Sequence, residues 1–389
     1  MLIFKGIYNI MKNVFKLLLI LSLSQSIFSQ SLVFIPIDGE HQLYFENGVI
    51  KEKGKFTNGE ETDEWFRNYS NGQLKEKGHY IFGKYEGEWT FYFANGNIKQ
   101  RSFYTNGIPT GEYISYFENA NIQERGSYKN GIKTEKWETF FESGLLRSEI
   151  EYRNGSPSGD YLLYHQSGQI HEKGNYINGK KQGEWLKKYE TGKCKEKGFF
   201  KEGLEDSTWT FFYPDGEIEL VLHFSNGKRE GERSFYYPNG QLEEKENYTN
   251  DQETGNWLKY YENGQIAEKG KFNNWKKEGE WVSFFKSGIL KEKGNYIDNE
   301  KTGEWFTYFE TGVLANKLTY KENQLNGDAI DYYCDSKIEG VGSYLNDKQE
   351  GEWIYYYYLG NEILETRCNF NKGIKTDDWR IQKKYESEK

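Results

Sequence analysis

One position of the chain recurs every 24 residues without a single insertion. We take the glycine of Tyr44-Phe45-Glu46-Asn47-Gly48 as the reference position of the repeat, which occurs fourteen times. The fourteen residues are Gly48, Gly72, Gly96, Ala120, Gly144, Gly168, Gly192, Gly216, Gly240, Gly264, Gly288, Gly312, Ser336 and Gly360. A spacing this regular predicts that each copy stacks in register on the next, because an insertion in one copy would disturb its neighbours.

The first half of each copy has the periodicity of a β-strand. Ile or Leu lies two residues after the reference position, as at Ile50 and Leu74, and an aromatic residue lies eight residues after it. The aromatics are Phe56, Tyr80, Tyr104, Tyr128, Tyr152, Tyr176, Phe200, Phe224, Tyr248, Phe272, Tyr296, Tyr320 and Tyr344. Lysines such as Lys51 and Lys53 alternate with the apolar positions, which places the two classes on opposite faces.

The second half of each copy begins near a Gly-Glu-Trp triplet, as at residues 87–89 and 279–281. A pair of aromatic residues follows, for example Tyr92-Phe93 and Phe284-Phe285. Two rings in succession on a strand point to opposite faces, so we expect aromatic residues on both sides of the sheet. We also expect the glutamate of the triplet to pair with a lysine across the strands.

Turn signals separate the halves. Asn-Gly occurs at residues 58–59 and 106–107, and the reference position supplies a second Asn-Gly in five copies. Asn-Gly tolerates the positive φ angles of tight hairpins, and two turns per copy predict a meander. A further glycine, six residues after the reference position at Gly54 and Gly78, predicts either a bulge or a bare patch beneath a tryptophan ring. The predicted fold is all-β, an elongated single-layer antiparallel meander of stacked β-hairpins.

The first thirty residues form a segment of their own. Lys12 and Lys16 precede an apolar run at residues 17–21, and small or polar residues follow as far as Ser29. This pattern predicts residues 1–30 as a signal peptide and hence an exported protein, with a retained N-terminal membrane anchor as the alternative. Residues 31–389 are then the array of about fourteen repeats, in which residues 361–389 form a degenerate C-terminal cap.

The charge and the cysteine content restrict the partners and the sites that the chain can have. The chain has 51 basic and 60 acidic residues and a formal charge of −9. Nucleic acid is therefore an unfavourable partner, and the acidic charge also disfavours contact with anionic membranes. The three cysteines, Cys194, Cys334 and Cys368, are widely spaced and give neither a disulfide framework nor a zinc motif.

The repeat resembles the MORN-repeat variant found in bacterial proteins, whose members are often described as antitoxin-like. Clear copies are residues 69–78 with Gly87-Glu88-Trp89, and residues 261–266 with Gly279-Glu280-Trp281. The resemblance covers essentially all of residues 31–389, although Arg233 and Ala329 replace the tryptophan in two copies. It implies stacked β-hairpins and a role in protein or membrane contact, with no shared catalytic residues. The antitoxin description implies a toxin partner, which fits poorly with a signal peptide.

No catalytic or metal-binding constellation stands out from the repeat. Cys194 fills the Ile/Leu position and His165 an aromatic position, so both are interpreted as packing substitutions. His79 and His223 share one position six repeats apart, and His171 replaces a lysine. We therefore predict no metal, no cofactor and no enzymatic activity.

Nine tryptophans recur at one position of the repeat and form a candidate binding or packing ladder. They are Trp65, Trp89, Trp137, Trp185, Trp209, Trp257, Trp281, Trp305 and Trp353. Packing is the favoured use, since a thin sheet has little else to bury. The predicted function is an exported, non-enzymatic scaffold for a protein or envelope component. The alternative is a carbohydrate-binding or cell-wall-binding module that uses the aromatic ladder. The sequence identifies neither the partner nor the oligomeric state.

Overall fold

A computed structural model describes residues 38–385, which consist of strands and turns without a helix. The chain divides into two compact units between Gln182 and Gly183. The predicted signal peptide, residues 1–30, lies outside the described residues, as do residues 31–37 and 386–389 of the predicted array. A membrane-spanning helix would need a long apolar helical segment, and residues 38–385 contain none.

The first unit is an antiparallel sheet in which strands pair in chain order. Its strands are β1 (Gly39–Tyr44), β2 (Ile50–Thr57), β3 (Glu60–Asn68), β4 (Leu74–Ile81), β5 (Lys84–Tyr92), β6 (Ile98–Thr105), β7 (Ile108–Tyr116), β8 (Ile122–Lys129), β9 (Ile132–Phe140), β10 (Leu146–Arg153), β11 (Ser156–Tyr164) and β12 (Ile170–Ile177). Every pairing from β1–β2 to β11–β12 joins consecutive strands. The unit boundary falls within β13 (Lys180–Lys188).

The second unit follows the same plan. Its strands after β13 are β14 (Cys194–Lys201), β15 (Leu204–Phe212), β16 (Ile218–Ser225), β17 (Lys228–Arg229), β18 (Gly231–Tyr236), β19 (Leu242–Thr249), β20 (Gln252–Tyr260), β21 (Ile266–Asn273), β22 (Lys276–Lys277), β23 (Gly279–Phe284), β24 (Leu290–Ile297), β25 (Glu300–Tyr308), β26 (Leu314–Lys321), β27 (Gln324–Tyr332), β28 (Ile338–Leu345), β29 (Lys348–Leu359), β30 (Glu362–Asn371), β31 (Ile374–Lys375) and β32 (Arg380–Tyr385). The described part of the predicted cap, residues 361–385, forms β30, β31 and β32.

The predicted all-β meander of hairpins is confirmed, and its turns lie where Asn-Gly predicted them. Asn58 and Gly59 join β2 to β3 with φ angles of 53° and 77°. Both angles are positive, as a two-residue hairpin turn with the right-handed twist of the strands requires. The reference glycine closes the other turn, where the Gly48 N–H donates to the Phe45 carbonyl at 2.9 Å.

The register irregularity lies beside the Gly-Glu-Trp triplet. Gly87 has a φ of 67° at the point where the β4–β5 register shifts between Lys77 and His79. This left-handed conformation costs glycine little, which explains the first residue of the triplet. Asp63 adopts a φ of 62° at the same position of its copy, where a side chain is strained. The irregularity therefore involves the earlier glycine, here Gly78, and the residues opposite it, which begin fifteen residues after the reference position.

The aromatic pairs do not place one ring on each face of a strand, as we had expected. β5 ends at Tyr92, and Phe93 begins the turn, with its N–H donating to the Asn97 carbonyl. The second ring of a pair instead reaches the next copy. Tyr237 of the pair Tyr236-Tyr237, for example, donates its hydroxyl hydrogen to the Tyr260 carbonyl at 2.9 Å. This bond ties neighbouring repeats together at the turn.

Candidate binding surfaces

The predicted tryptophan ladder packs against glycines of the preceding strands. The Trp65 indole lies over Gly54 so closely that a Cβ there would sit 2.1 Å from the ring. The same contact joins Gly78 to Trp89, Gly126 to Trp137, Gly198 to Trp209, Gly270 to Trp281, Gly294 to Trp305 and Gly342 to Trp353. The sequence left a bulge and a bare patch beneath a tryptophan open for these glycines, and the structure shows both features, a register irregularity and a covering ring.

Eight of the nine tryptophans are buried, with exposed fractions of 6% or less, and Trp257 is half-buried. The aromatic residues of the first half-repeat pack edge-to-face on them. Tyr128 and Tyr152, for example, lie 5.0 Å and 6.3 Å from the Trp137 ring centroid. The Trp137 indole N–H donates to the Ser127 carbonyl at 3.2 Å. A ring satisfied in this way stabilises the sheet and is not available to stack on a ligand.

A lysine thirteen residues after the reference position covers the outer side of several rings. The Nζ atoms of Lys133, Lys277 and Lys301 lie 3.6, 3.7 and 3.8 Å from the centroids of Trp137, Trp281 and Trp305. Each ammonium also pairs with a glutamate on the preceding strand, at 2.7, 3.0 and 2.8 Å. These glutamates are Glu124, Glu268 and Glu292. In these three copies the tryptophan ring thus contacts a glycine and a paired cation.

The copy that has Arg233 in place of tryptophan contains a buried charge cluster. Arg233 pairs with the Glu246 carboxylate, which also accepts the Tyr248 hydroxyl hydrogen at 2.8 Å. Glu246 is 4% exposed and Glu253 is 7% exposed. Burial and the neighbouring Glu246 charge raise the pKa of Glu253 to about 7. The cluster holds an acid that exchanges its proton near neutral pH.

The other residues singled out from the sequence do not converge on a site. The rings of His165 and His171 stack at a centroid separation of 4.3 Å. His223 Nδ1 lies 2.9 Å from the Thr208 hydroxyl. Cys194 is half-buried and Cys368 buried, and burial raises the pKa of both thiols. Within residues 38–385, no group of three or more His, Cys, Asp or Glu side chains is arranged to hold a metal.

The first unit has an open groove of about 780 Å³ near the ends of β5, β7 and β9. Its lining includes Phe93, Gln100, Tyr113, Ser115, Phe117, Glu124, Thr139 and Arg147. Ser115 and Thr139 hold the position nineteen residues after the reference residue, which Arg67 and Phe91 fill in the two preceding copies. Because Ser115 and Thr139 are smaller than Arg67 and Phe91, they leave the space that forms the groove. Aromatic rings beside hydroxyl and amide groups suit a polar ligand that has an apolar face.

Nine segments of the chain match the family described as MORN repeat variant. They are residues 37–58, 64–81, 85–106, 109–130, 157–178, 229–250, 253–274, 277–298 and 301–322. The chain is built from MORN repeats of the variant type. The stacked hairpins follow from these repeats, and MORN repeats indicate a protein that binds other molecules.

Comparisons of whole proteins add little to the MORN match. No curated protein matches the chain. Similar solved structures include a TcdB2–TccC3–Cdc42 complex and a Photorhabdus luminescens Tc holotoxin pore with a mutated TccC3. Each is 8% identical, with TM-scores of 0.13 and 0.15, and the match covers 90% of this MORN chain but 23% of the other chain. Neither likeness supports an argument about this protein.

Sequence reasoning missed the lysines above the tryptophans and the groove. The signal for the lysines was present, because Lys133, Lys277 and Lys301 recur at one position of the MORN repeat. The groove gave a weaker signal, namely two successive small polar residues at a position that is large in the two preceding copies and in the copy that follows. The expected pairing of the triplet glutamate is observed at Glu304, which lies 2.5 Å from the Lys317 Nζ atom.

Proposed function

We propose that this protein is an exported, non-enzymatic scaffold that binds a protein or another cell-envelope component through many weak contacts. The observation that carries the proposal is the enclosed tryptophan ladder. Because the rings that could have formed a binding site are committed to the core, a partner meets the exposed positions of the repeats. Those positions recur in register, so several weak contacts act together.

Two parts of this proposal rest on the sequence. Export rests on the charged and apolar pattern of residues 12–30. The absence of catalysis rests on the repeated sequence, in which no catalytic constellation stands out from the recurring positions. The narrower version, in which the partner is a toxin polypeptide, rests on the antitoxin-like description of similar repeats.

Affinity capture from the native cell envelope tests the proposal. Tagged full-length protein is expected to retain a small set of partners, identified by mass spectrometry, and to occur in envelope or secreted fractions with residues 1–30 removed. A chain that stays cytoplasmic with its N-terminus intact would contradict export. Turnover of a substrate that a single substitution abolishes would contradict the non-enzymatic role.

The groove of the first unit favours a second candidate function, carbohydrate binding. A sugar ring presents C–H groups to aromatic side chains and hydroxyls to polar ones, and Phe93, Tyr113 and Gln100 offer both kinds of contact. Ser115→Arg fills the groove with the side chain that Arg67 places at the same position. Ser283→Arg, at this position in the second unit, is the matched control. If the function is carbohydrate binding, Ser115→Arg abolishes retention on a glycan array and Ser283→Arg does not.

A further inference from the structure

The hairpin tips of the first unit form an edge whose charge differs from that of the whole chain. Six turns of the first unit join the two strands of a hairpin, and the first of them, residues 57–60, contains Glu60. We define the basic edge as the other five turns, residues 81–84, 105–108, 129–132, 153–156 and 177–180. These turns contain four basic residues, Lys84, Lys129, Arg153 and Lys180, and no acidic residue. The chain as a whole carries a formal charge of −9.

The basic edge also exposes large apolar side chains. The exposed fractions are 42% for Ile81, 67% for Phe82, 50% for Ile108, 48% for Ile132 and 53% for Ile177. Exposed apolar side chains are ordinary when scattered, but a row that runs along one edge beside cations indicates a contact surface.

The second unit provides an internal comparison. Its corresponding turns are residues 201–204, 225–228, 249–252, 273–276, 297–300, 321–324, 345–348 and 371–374, and they contain both acidic and basic residues. The acidic ones are Glu202, Asp251, Asp298, Glu300, Glu322 and Asp347. The repeat therefore does not require a basic edge, and the first unit departs from its own pattern.

Phe82 shows that the edge is costly to maintain. It has a φ of 50°, where five other copies of the first unit place Asn58, Asn106, Asn130, Asn154 or Asn178. A left-handed conformation is unfavourable for phenylalanine, and exposing its ring is unfavourable as well. Strain of this kind at an exposed tip points to a binding role.

The edge is rigid, because each turn bonds to the preceding repeat. The Gly107 N–H donates to the Tyr85 carbonyl at 2.8 Å, and the Gly131 N–H donates to the Pro109 carbonyl at 2.8 Å. The carboxylate of Glu86, next to the basic edge, accepts a hydrogen bond from the Asn106 N–H at 2.9 Å. A partner therefore meets a preorganised row and loses little conformational entropy of the edge on binding.

We propose that the basic edge docks an extended, acidic segment of a protein partner that has an apolar residue at every third position. Successive tips are two strands apart, roughly 9.6 Å at the usual strand spacing. Three residues of a polyproline II segment span about 9.3 Å and complete one turn, so every third side chain returns to the same side and meets a tip. Acidic residues between them face the four cations. This inference rests on the proposed function, because it names the surface and the partner chemistry of that scaffold.

A narrow polypeptide fits the edge better than a membrane surface does. The favourable charges lie in one strip, and the glutamates of the sheet begin within about 10 Å, the distance over which charges act at physiological salt. A plane of anionic lipid would contact both the basic strip and these glutamates, whereas a single extended segment contacts the basic strip alone.

The experiment measures binding of a labelled synthetic peptide to the full-length protein by fluorescence anisotropy. The peptide repeats Asp-Glu-Leu five times, one triplet for each tip. The test variant carries Lys84→Glu, Lys129→Glu, Arg153→Glu and Lys180→Glu. The control carries Lys201→Glu, Lys228→Glu, Lys276→Glu and Lys321→Glu, the same charge change in the same turn positions of the second unit.

The wild-type and control proteins are expected to bind the peptide, and the test variant at least about 10-fold more weakly. A scrambled peptide of the same composition should also bind more weakly. Equal binding by the two variants, or no binding by the wild type, overturns the inference. Binding of phosphatidylglycerol vesicles without binding of the peptide assigns the edge to lipid and also overturns it. A partner captured from the envelope equally well by both variants would leave the scaffold function intact and refute this surface.

Discussion

Arg233 faces Glu246 across β18 and β19 at the two positions that Trp281 and Gly294 occupy across β23 and β24. An ion pair thus replaces a tryptophan and the glycine that faces it on the next strand. Removing charges from water is costly, so the copy that contains Arg233 is a weak point of the second unit. Glu253 adds a second buried carboxyl beside the pair.

The first prediction concerns pH. The pKa of Glu253 is raised from 4.5 to about 7, so the folded chain keeps a proton that the unfolded chain releases between these values. The free energy of unfolding therefore decreases as the pH rises from about 4.5 to about 7. Glu253→Gln removes this contribution. Above pH 7, urea denaturation should show the variant to be more stable by about 2 kcal/mol, and below pH 4.5 the difference should vanish.

Glu262→Gln is the control for this experiment, because Glu262 is an exposed carboxyl in the following turn. It should follow the wild-type pH profile. The same pH dependence in the wild type and in Glu253→Gln would show that the buried carboxyl does not control the stability of this copy.

The second prediction concerns the contact between glycine and tryptophan. A Cβ at Gly126 would lie 2.2 Å from the Trp137 ring, so Gly126→Ala forces the indole out of its position. We expect a loss of about 1–3 kcal/mol in the free energy of unfolding and a shift in tryptophan fluorescence.

Another copy of the repeat has a pair of residues that avoids this clash. Ser102 faces Tyr113 in β6 and β7, where other copies have glycine and tryptophan. Gly126→Ser combined with Trp137→Tyr should therefore cost less than the two single substitutions together. An additive double-mutant cycle would mean that the two positions do not interact through their packing.

The repeat made most of the fold predictable. The constant spacing set the register, and the Asn-Gly pairs set the hairpin turns, because few other residues accept two successive positive φ angles. The sequence left a bulge and a bare patch open at Gly54, and the structure shows both: the register shifts between Lys53 and Lys55, and the Trp65 ring lies over Gly54. The left-handed residue opposite this irregularity recurs as the first residue of the triplet, as at Gly87, but its conformation was not inferred from the sequence.

The binding surfaces were less predictable, because they depend on which side chains share a side of the sheet after the bulge. Tryptophan suggested a ladder, but whether a ring is enclosed depends on Lys133 and Gly126, which belong to different strands. The basic edge could have been predicted from the charges of the turn residues. The overall charge of −9 concealed it, since one strip of cations contributes little to a sum over 389 residues.

The third prediction concerns the cation above the ring. Lys277 lies 3.7 Å from the Trp281 centroid and 3.0 Å from Glu268, so Lys277→Met should cost about 1 kcal/mol at low salt and less at high salt. Lys276→Met is the matched neighbour, because Lys276 pairs with Asp298 in solvent. It should change stability by less than about 0.5 kcal/mol. Equal losses in the two variants would contradict a role for the ring contact.

The fourth prediction separates stability from binding at Phe82. Phe82→Asn places at a φ of 50° the residue that other turns use there, and it removes an exposed ring. We expect the free energy of unfolding to increase by about 0.5–1 kcal/mol, measured by urea denaturation. The reverse change, Asn106→Phe in the next turn, should decrease it by a similar amount. If Phe82→Asn also weakens binding of the acidic peptide, a residue that destabilises the free chain contributes to the complex, as expected for a side chain retained for contact rather than for folding. A loss of stability in Phe82→Asn would show instead that the ring packs on the turn, and the strain argument for the edge would fail.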